Sequence, residues 1–516
     1  MTRAGAVAFA MGLVGCGPEV ADGPPHTWVQ QSQGVFLQFQ YRLDVLLVID
    51  DSPTMTGDQQ SVATAAATFA RMFEQQSPDR HYYRFGVTTT SVTQPGCDGP
   101  TAVDGALLTE SCREHLEDFV VGQQDEIDDR SVCLEHCPLE HVNLDPSVVY
   151  PRREATDNPW IDNTTDNATL PDDIAGADAL ACVATRGSAG CEHPAPLEAM
   201  RLALARMEDP SDPAFGFRRS GAGFMVVFIT NGHECSFTEA AAALIGPDTP
   251  QAVCWTAGVR CDGGPGRYDD CYPRDIDVDG MLTSPESAVL TPLSTYIDVL
   301  QRVEDEKQAA QPSAEVLVAT IAGFGTDGSV TYQDALDEAL HAEFGIGPGC
   351  AAGSARSAMP PARLAAFTDA FSYRGHGPSR HNFCSSDWRP ALAPVFHTLG
   401  IPQRYCVDLC VADQDPTTPK LDTDCVVRVS SWNDAGPFTD VIAACERDAG
   451  EPSLPEGENA CWHLKTGDEV PDYCADDGSL QLGYLRRPDT FIPHGFVEIE
   501  CLVSPNPARD CPELER

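Results

Sequence analysis

The chain has 516 residues, 42% of them hydrophobic, which is enough for a substantial core and excludes wholesale disorder. Thirty-three basic residues stand against 78 acidic ones, a formal net charge of -45, and such a surface repels phosphate backbones and excludes a nucleic-acid partner. Cysteine is the sharper signal: 21 of them exceed what a reduced compartment holds outside metal clusters, so the chain reads as exported.

The chain opens with MTRAGAVAFAMGLVGC, in which Arg3 precedes an apolar stretch from Ala4 to Leu13, too short to span a bilayer. It ends Leu13-Val14-Gly15-Cys16, which resembles the lipobox of bacterial lipoproteins. The resemblance implies cleavage before Cys16, acylation of that cysteine and a lipid anchor in the cell envelope, with Gly17 pointing to the outer membrane. Several acyl chains anchor stably, because each buried CH2 contributes about 0.8 kcal/mol. The alternative is a plain signal peptide with an incidental cysteine. Setting Cys16 aside leaves 20 cysteines, an even number that suits up to ten disulfides of unreadable connectivity. Residues 17–38, carrying Gly, Pro and Gln, read as a tether.

Residues 39–404 then alternate in an α/β manner. Val45–Ile49 is a continuous aliphatic run, as expected of a strand buried on both faces. Gln59–Gln75 places Val62, Ala66, Phe69 and Phe73 on one helical face. Tyr83–Val92 reads as a second strand, and an acidic, cysteine-bearing insertion occupies about 95–180. Pro196–Met207 is a helix with proline in its first turn. Gly223–Thr230 is an all-apolar strand, followed by a second insertion over about 235–287. A helix from TPLSTYIDVLQRVEDEK, a strand over Ala314–Gly325 and two helices, PARLAAFTDAF and RPALAPVFHTLG, complete the pattern. The expected fold class is α/β, a doubly wound, mostly parallel sheet with long disulfide-bearing insertions. From residue 405 to 516 short strands such as CVVRVSSW and FVEIECLV alternate with turns, a small cysteine-rich β region.

The first aliphatic run ends on Asp50-Asp51-Ser52-Pro53-Thr54. In doubly wound sheets ligands bind outside the carboxyl ends of the strands. The spacing Asp50-x-Ser52-x-Thr54 can turn one carboxylate and two neutral hydroxyls toward a single cation, which suits Mg²⁺ with retained waters. The plain alternative is a capped turn, with Ser52 or Thr54 capping the next helix.

On VIDDSPTM the chain resembles the von Willebrand factor type A family, and within it the bacterial lipoprotein branch. The segments GSAGCEHPAPLEAMRLAL, VVFITNGHECS, LTPLSTYIDVL and RLAAFTDAF fall in the order that branch implies. The resemblance implies a metal-ion-dependent adhesion site, Mg²⁺ or Mn²⁺, held by Asp50, Ser52 and Thr54, with a protein ligand completing it. Asn231 stands where the family carries an aspartate after FIT, and it adds no charge. The second loop lacks the family's threonine, so Ser188 or Glu192 would have to substitute. Cys191 and Cys235 lie in two of these loops, and a disulfide between them is an expectation.

A second motif, DIDVDGMLTSPE, matches the calcium-loop pattern. Asp275, Asp277 and Asp279 would supply carboxylates, Met281 its carbonyl, Thr283 a water and Glu286 both carboxylate oxygens, with Gly280 allowing the turn. Ca²⁺ is the expected ion, against the alternative of a solvated acidic loop. Cys133 to His141 has zinc-like spacing, but an exported chain favours disulfides there.

No Gly-x-Ser-x-Gly elbow, His-Glu-x-x-His or Walker loop occurs, and Ser52 replaces the second aspartate a phosphotransferase would need, so no enzyme is expected. The expected function is a membrane-anchored surface module that binds an unnamed protein, adhesion included. The alternative is a structural envelope protein that keeps the fold without the site, and a hydrolytic enzyme is the third reading behind both.

Overall fold

In a computed structural model, the described residues are 29–37, 43–76, 83–99, 101–122, 127–149, 154–162, 168–171, 173–220, 222–246, 248–310, 316–353, 356–371, 378–392, 406–414, 421, 423–433, 436–448, 451–458, 460–466, 470, 480–486, 495–505 and 510–511. The expected leader, Cys16 and the start of the tether lie outside them, as does the end of the helix expected over RPALAPVFHTLG, of which only a 3-10 turn, Arg389–Leu392, is described. Two compact units divide the chain, Gln40–Ile401 and a second drawn from both ends, Met1–Phe39 with Pro402–Arg516.

The larger unit is built on a six-stranded sheet of β1 (Leu43–Ile49), β2 (Tyr83–Thr89), β3 (Ile161–Asp162), β4 (Gly223–Ile229), β5 (Val316–Ala322) and β6 (Ser379–Asn382). Their spatial order is β6-β5-β4-β1-β2-β3. All pairings are parallel except the short edge strand β3, antiparallel to β2. The order reverses between β1 and β4, which is the switch point of a doubly wound sheet.

Alternation along β1 explains why both faces need cover. Leu43, Val45, Leu47 and Ile49 enter one core, with Val62, Ala66, Phe69 and Phe73 of α1 (Gln59–Gln76) and Leu180 and Val183 of α2 (Gly176–Ala184). Leu46 and Val48 enter the other core. There they meet Met200 and Leu204 of α3 (Pro196–Glu208), Tyr296 and Leu300 of α4 (Leu293–Ala310), and Leu364 and Phe367 of α5 (Ala362–Ala370). Asp44 interrupts the run and is fully buried, but Arg219 meets it twice, backbone N–H to Oδ2 at 2.7 Å and Nε to Oδ1 at 2.8 Å. A buried charge is tolerated only with such a partner.

Disulfides pin the insertions, Cys112–Cys133, Cys137–Cys182 and Cys261–Cys271, and Cys350–Cys384 joins the segments before and after α5. The expected Cys191–Cys235 bond is corrected. Cys191 pairs with Cys97 and Cys235 with Cys254, so each rim loop is tied to its own neighbour rather than to the other. The zinc-like cluster also resolves: the sulfurs of Cys112, Cys133 and Cys137 lie together, and all three are in disulfides.

The second unit is a seven-stranded sheet, ordered Val29–Leu37, Gly495–Val503, Cys425–Asn433, Gly436–Ala444, Ala460–Lys465, Leu480–Arg486, Cys406–Val407. It is antiparallel apart from the pairing of Ala443 and Ala444 with Cys461 and Trp462. Cys410–Cys511, Cys425–Cys501 and Cys445–Cys461 brace it. Residues 29–37 are therefore not tether but an edge strand, in register from Val29 opposite Val503 to Leu37 opposite Gly495. The polar composition hid this, because the partner that completes the strand's hydrogen bonds lies at the far end of the chain.

Candidate functional site

β1 and β4 deliver their last residues side by side at the carboxyl rim. The Asp50 N–H donates to the Ile229 carbonyl at 2.9 Å, which brings the 50–54 turn against Thr230 and Asn231. Asp50 is fully buried. Its Oδ1 accepts from the Ser52 N–H at 2.9 Å and its Oδ2 from the Thr230 hydroxyl at 2.5 Å. Burial pushes its carboxyl above the usual range while these hydrogen bonds pull it down. Among the described residues no basic side chain stands against it.

The turn after Asp50 does not act as a simple cap. A 3-10 turn, Pro53–Met55, follows Ser52, and the Ser52 side chain caps no amide. Its hydroxyl instead shares a hydrogen bond with Thr54 Oγ1 at 2.9 Å. Thr54 Oγ1 donates to Asn231 Oδ1 at 2.7 Å, and Asn231 Nδ2 donates back to the Thr54 carbonyl at 2.6 Å. The structure thus brings Asp50, Ser52, Thr54 and Asn231 into one cluster of oxygens. The donor set, one desolvated carboxylate with neutral hydroxyl and amide oxygens, is of the hard type that a small divalent cation takes.

Several members of the rim have no signal in the strand-tip motif. Asp51 is buried, and its Oδ1 accepts from Ser91 Oγ at 2.8 Å. Burial pushes its carboxyl up to about 6, with the Asp50 charge adding to the rise and the Ser91 hydrogen bond opposing it. Thr90 and Ser91 belong to a hydroxyl run, Thr88–Ser91, at the tip of β2, and that run beside a known strand tip is the clue that could have found them. Asp58 accepts from Asn231 Nδ2 at 3.2 Å and from Arg356 Nε at 2.7 Å. Burial raises its carboxyl against the pull of Arg356.

Of the two second-loop candidates, Ser188 is buried and accepts from Thr56 Oγ1 at 3.0 Å, one residue pair away from the cluster. Glu192 is exposed. Neither hydrogen-bonds to the four. His233, beside the third loop, is buried and its Nε2 pairs with the Phe344 carbonyl at 2.8 Å.

The 275–286 segment is a hairpin without an entering helix. Ile276 and Leu282 bridge, and the Asp277 N–H donates to the Met281 carbonyl at 2.9 Å, the oxygen assigned to calcium. Asp277 Oδ1 accepts the N–H groups of Asp279 and Met281 at 3.0 and 2.9 Å. Gly280 holds φ 76°, the left-handed turn that the pattern demands. No three of Asp275, Asp277, Asp279 and Glu286 place carboxylate oxygens all within 4.8 Å of one another. Thr283 gives its N–H to the Asp275 carbonyl at 3.0 Å. Among the described residues no helix is long and apolar enough to cross a membrane.

No protein-family profile and no curated protein matches this chain. Among solved structures it is similar to the pilus adhesin SpaC from Lactobacillus rhamnosus GG, at TM-score 0.31 and 11% identity over 93% of this chain and 44% of that one. The open conformation of the same adhesin gives TM-score 0.32 and 10% identity over 90% and 39%. The PilB minor pilin from Streptococcus sanguinis gives 0.26 and 10% over 71% and 63%. The chain spans less than half the length of the adhesin it matches. Likenesses at this level do not carry an activity or a partner over to this chain.

Proposed function

We propose that this chain is an exported, lipid-anchored surface protein whose parallel-sheet unit is a type A domain that binds a protein partner. The binding runs through Mg²⁺ or Mn²⁺ held by Asp50, Ser52, Thr54 and Asn231, and Cys16 carries the anchor. One observation supports this above the others: the four residues meet at the switch point of the sheet, around a buried Asp50 carboxylate that has no basic partner among the described residues. Apart from Asp51 beside it, the buried acids described in this unit meet an arginine, as at Asp44, Asp162 and Glu234. Asp50 departs from that rule, and a cation would restore it. The partner's own carboxylate is the ligand chemistry that would complete the shell. No turnover is part of this reading.

Calcium belongs to the proposal at a separate place, the 275–286 hairpin, where the acidic side chains would have to draw together around the ion. Calorimetric titration of the full chain with Mg²⁺, Mn²⁺ and Ca²⁺ tests both sites. Asp50→Ala abolishes Mg²⁺ and Mn²⁺ binding on this reading, and Asp277→Ala abolishes a Ca²⁺ response without touching the first site. Mg²⁺ and Mn²⁺ isotherms that ignore Asp50→Ala would favour the second reading, a structural envelope protein that has kept the fold and lost the site. The neutral Asn231 is the observation on that side.

A further inference from the structure

Asp58 stands immediately before α1, where a carboxylate ordinarily caps the first amides of a helix. Its backbone carbonyl starts the helix, accepting from Ser61 N and Val62 N at 2.9 and 3.4 Å. The carboxylate turns away from the helix. Oδ1 takes Arg356 Nε at 2.7 Å and Oδ2 takes Asn231 Nδ2 at 3.2 Å. Arg356 is itself held in place: it donates to Ser61 Oγ and to the Ser385 carbonyl at 3.3 Å. Its guanidinium lies 5.4 and 5.6 Å from the ring centroids of Phe383 and Trp388.

The two ends of the Asn231 amide are chemically different. The NH₂ end faces two acceptors, the Thr54 carbonyl and Asp58 Oδ2, and the oxygen faces the Thr54 hydroxyl. A flipped amide would set its oxygen against a carbonyl and a carboxylate. We propose that Asp58, backed by Arg356, is the positioning residue that keeps the Asn231 oxygen on the cation side, and that neutral Asn231 and charged Asp58 are a matched pair. This rests on the reading of Asp50, Ser52, Thr54 and Asn231 as cation ligands. The pairing explains the neutral residue: a carboxylate at 231 would confront Asp58 across the 3.2 Å now spanned by a hydrogen bond.

The consequence is an inversion of sign. With Asn231 present, Asp58→Asn gives its one amide oxygen to Arg356 and turns NH₂ toward NH₂, so the cation site loosens. Combined with Asn231→Asp, the same substitution replaces a repulsion by a donor, so the site tightens. A merely structural role for Asp58 gives the same sign in both settings.

The test is Mn²⁺ affinity of the full chain, read as free Mn²⁺ by electron paramagnetic resonance, for wild type, Asp50→Ala, Asp58→Asn, Asn231→Asp and the Asp58→Asn/Asn231→Asp pair. Asp58→Asn is expected to weaken Mn²⁺ about tenfold. Asn231→Asp alone brings no gain, and the double variant binds about tenfold tighter than Asn231→Asp. Asp58→Ala, which removes both the acceptor and the repulsion, shows the same inversion and serves if Asp58→Asn does not fold. Equal signs in the two settings, or no effect in either, overturn the positioning role while leaving an Asp50-dependent site intact. Wild-type binding that is absent or insensitive to Asp50→Ala removes the site, and the positioning role with it.

Discussion

Gly190 and Asp51 touch across the rim of the sheet: the Gly190 N–H donates to the Asp51 carbonyl at 2.7 Å, and a Cβ on Gly190 would fall 2.4 Å from the Asp51 carboxyl carbon. The same Cβ would fall 2.6 Å from Ser91 Oγ. Gly190→Ala therefore forces the second loop off the strand tip. Overpacking of this kind costs about 1–3 kcal/mol. Urea unfolding of the variant should show a lower midpoint, and cation affinity should fall with it.

The loop carrying Gly190 is held from the other side by Cys97–Cys191, a bond that closes 94 residues of sequence. The Cys191 N–H also donates to Ser91 Oγ at 2.9 Å, so bond and hydrogen bond press the loop onto Asp51 together. The paired substitution Cys97→Ala/Cys191→Ala should cost about 2–5 kcal/mol. Amide exchange at Gly190 and Cys191 should rise first, since their amides bond across this seam, to the Asp51 carbonyl and Ser91 Oγ.

How much of this was legible in sequence depends on the range of the signal. The strand tip was legible because its chemistry is local: an aliphatic run, then Asp50, Ser52 and Thr54 at alternate positions. The parallel sheet was legible because burial on both faces leaves unbroken apolar strands. The disulfide partners were not, because Cys97 and Cys191 meet only once the long insertion between them has folded. Asp58 carries no local signal for the same reason, since its partner Arg356 is 298 residues away. Residues 29–37 carry a strand whose partner begins at Gly495, and nothing local in Gln-rich sequence announces it.

Glu234 and Arg363 form a buried ion pair, Oε2 to Nε at 2.6 Å, with side chains 2% and 3% exposed. Arg363 also donates to the Thr291 carbonyl at 2.6 Å, and Glu234 accepts from the Ser236 hydroxyl. Glu234→Ala leaves a buried guanidinium without its counter-charge, a loss of about 3–5 kcal/mol. Glu234→Leu/Arg363→Met should recover much of that in thermal unfolding, because neither charge remains to be desolvated.

Burial pushes His233 and His381 down to about 4. Both are neutral in the folded chain at pH 6, whereas the unfolded chain protonates them near 6.5. Stability is therefore complete above pH 6.5 and is lost as pH falls toward 4, by up to about 3 kcal/mol for each histidine. Asp51, raised to about 6, acts in the opposite sense, since its folded carboxyl takes a proton before the unfolded one does. In EDTA, Asp51→Asn should steepen the acid loss, and His381→Gln should flatten it. Unfolding midpoints at pH 4.5, 5.5 and 6.5 are the readout.

Anomalous scattering at the manganese edge, from crystals of the full chain grown with MnCl₂, tests the cation site most directly. The account predicts a peak about 2.1 Å from the hydroxyl oxygens of Ser52 and Thr54, with Asp50 and Asn231 facing it. No peak at that rim, or manganese bound only at other acidic surfaces, would contradict it.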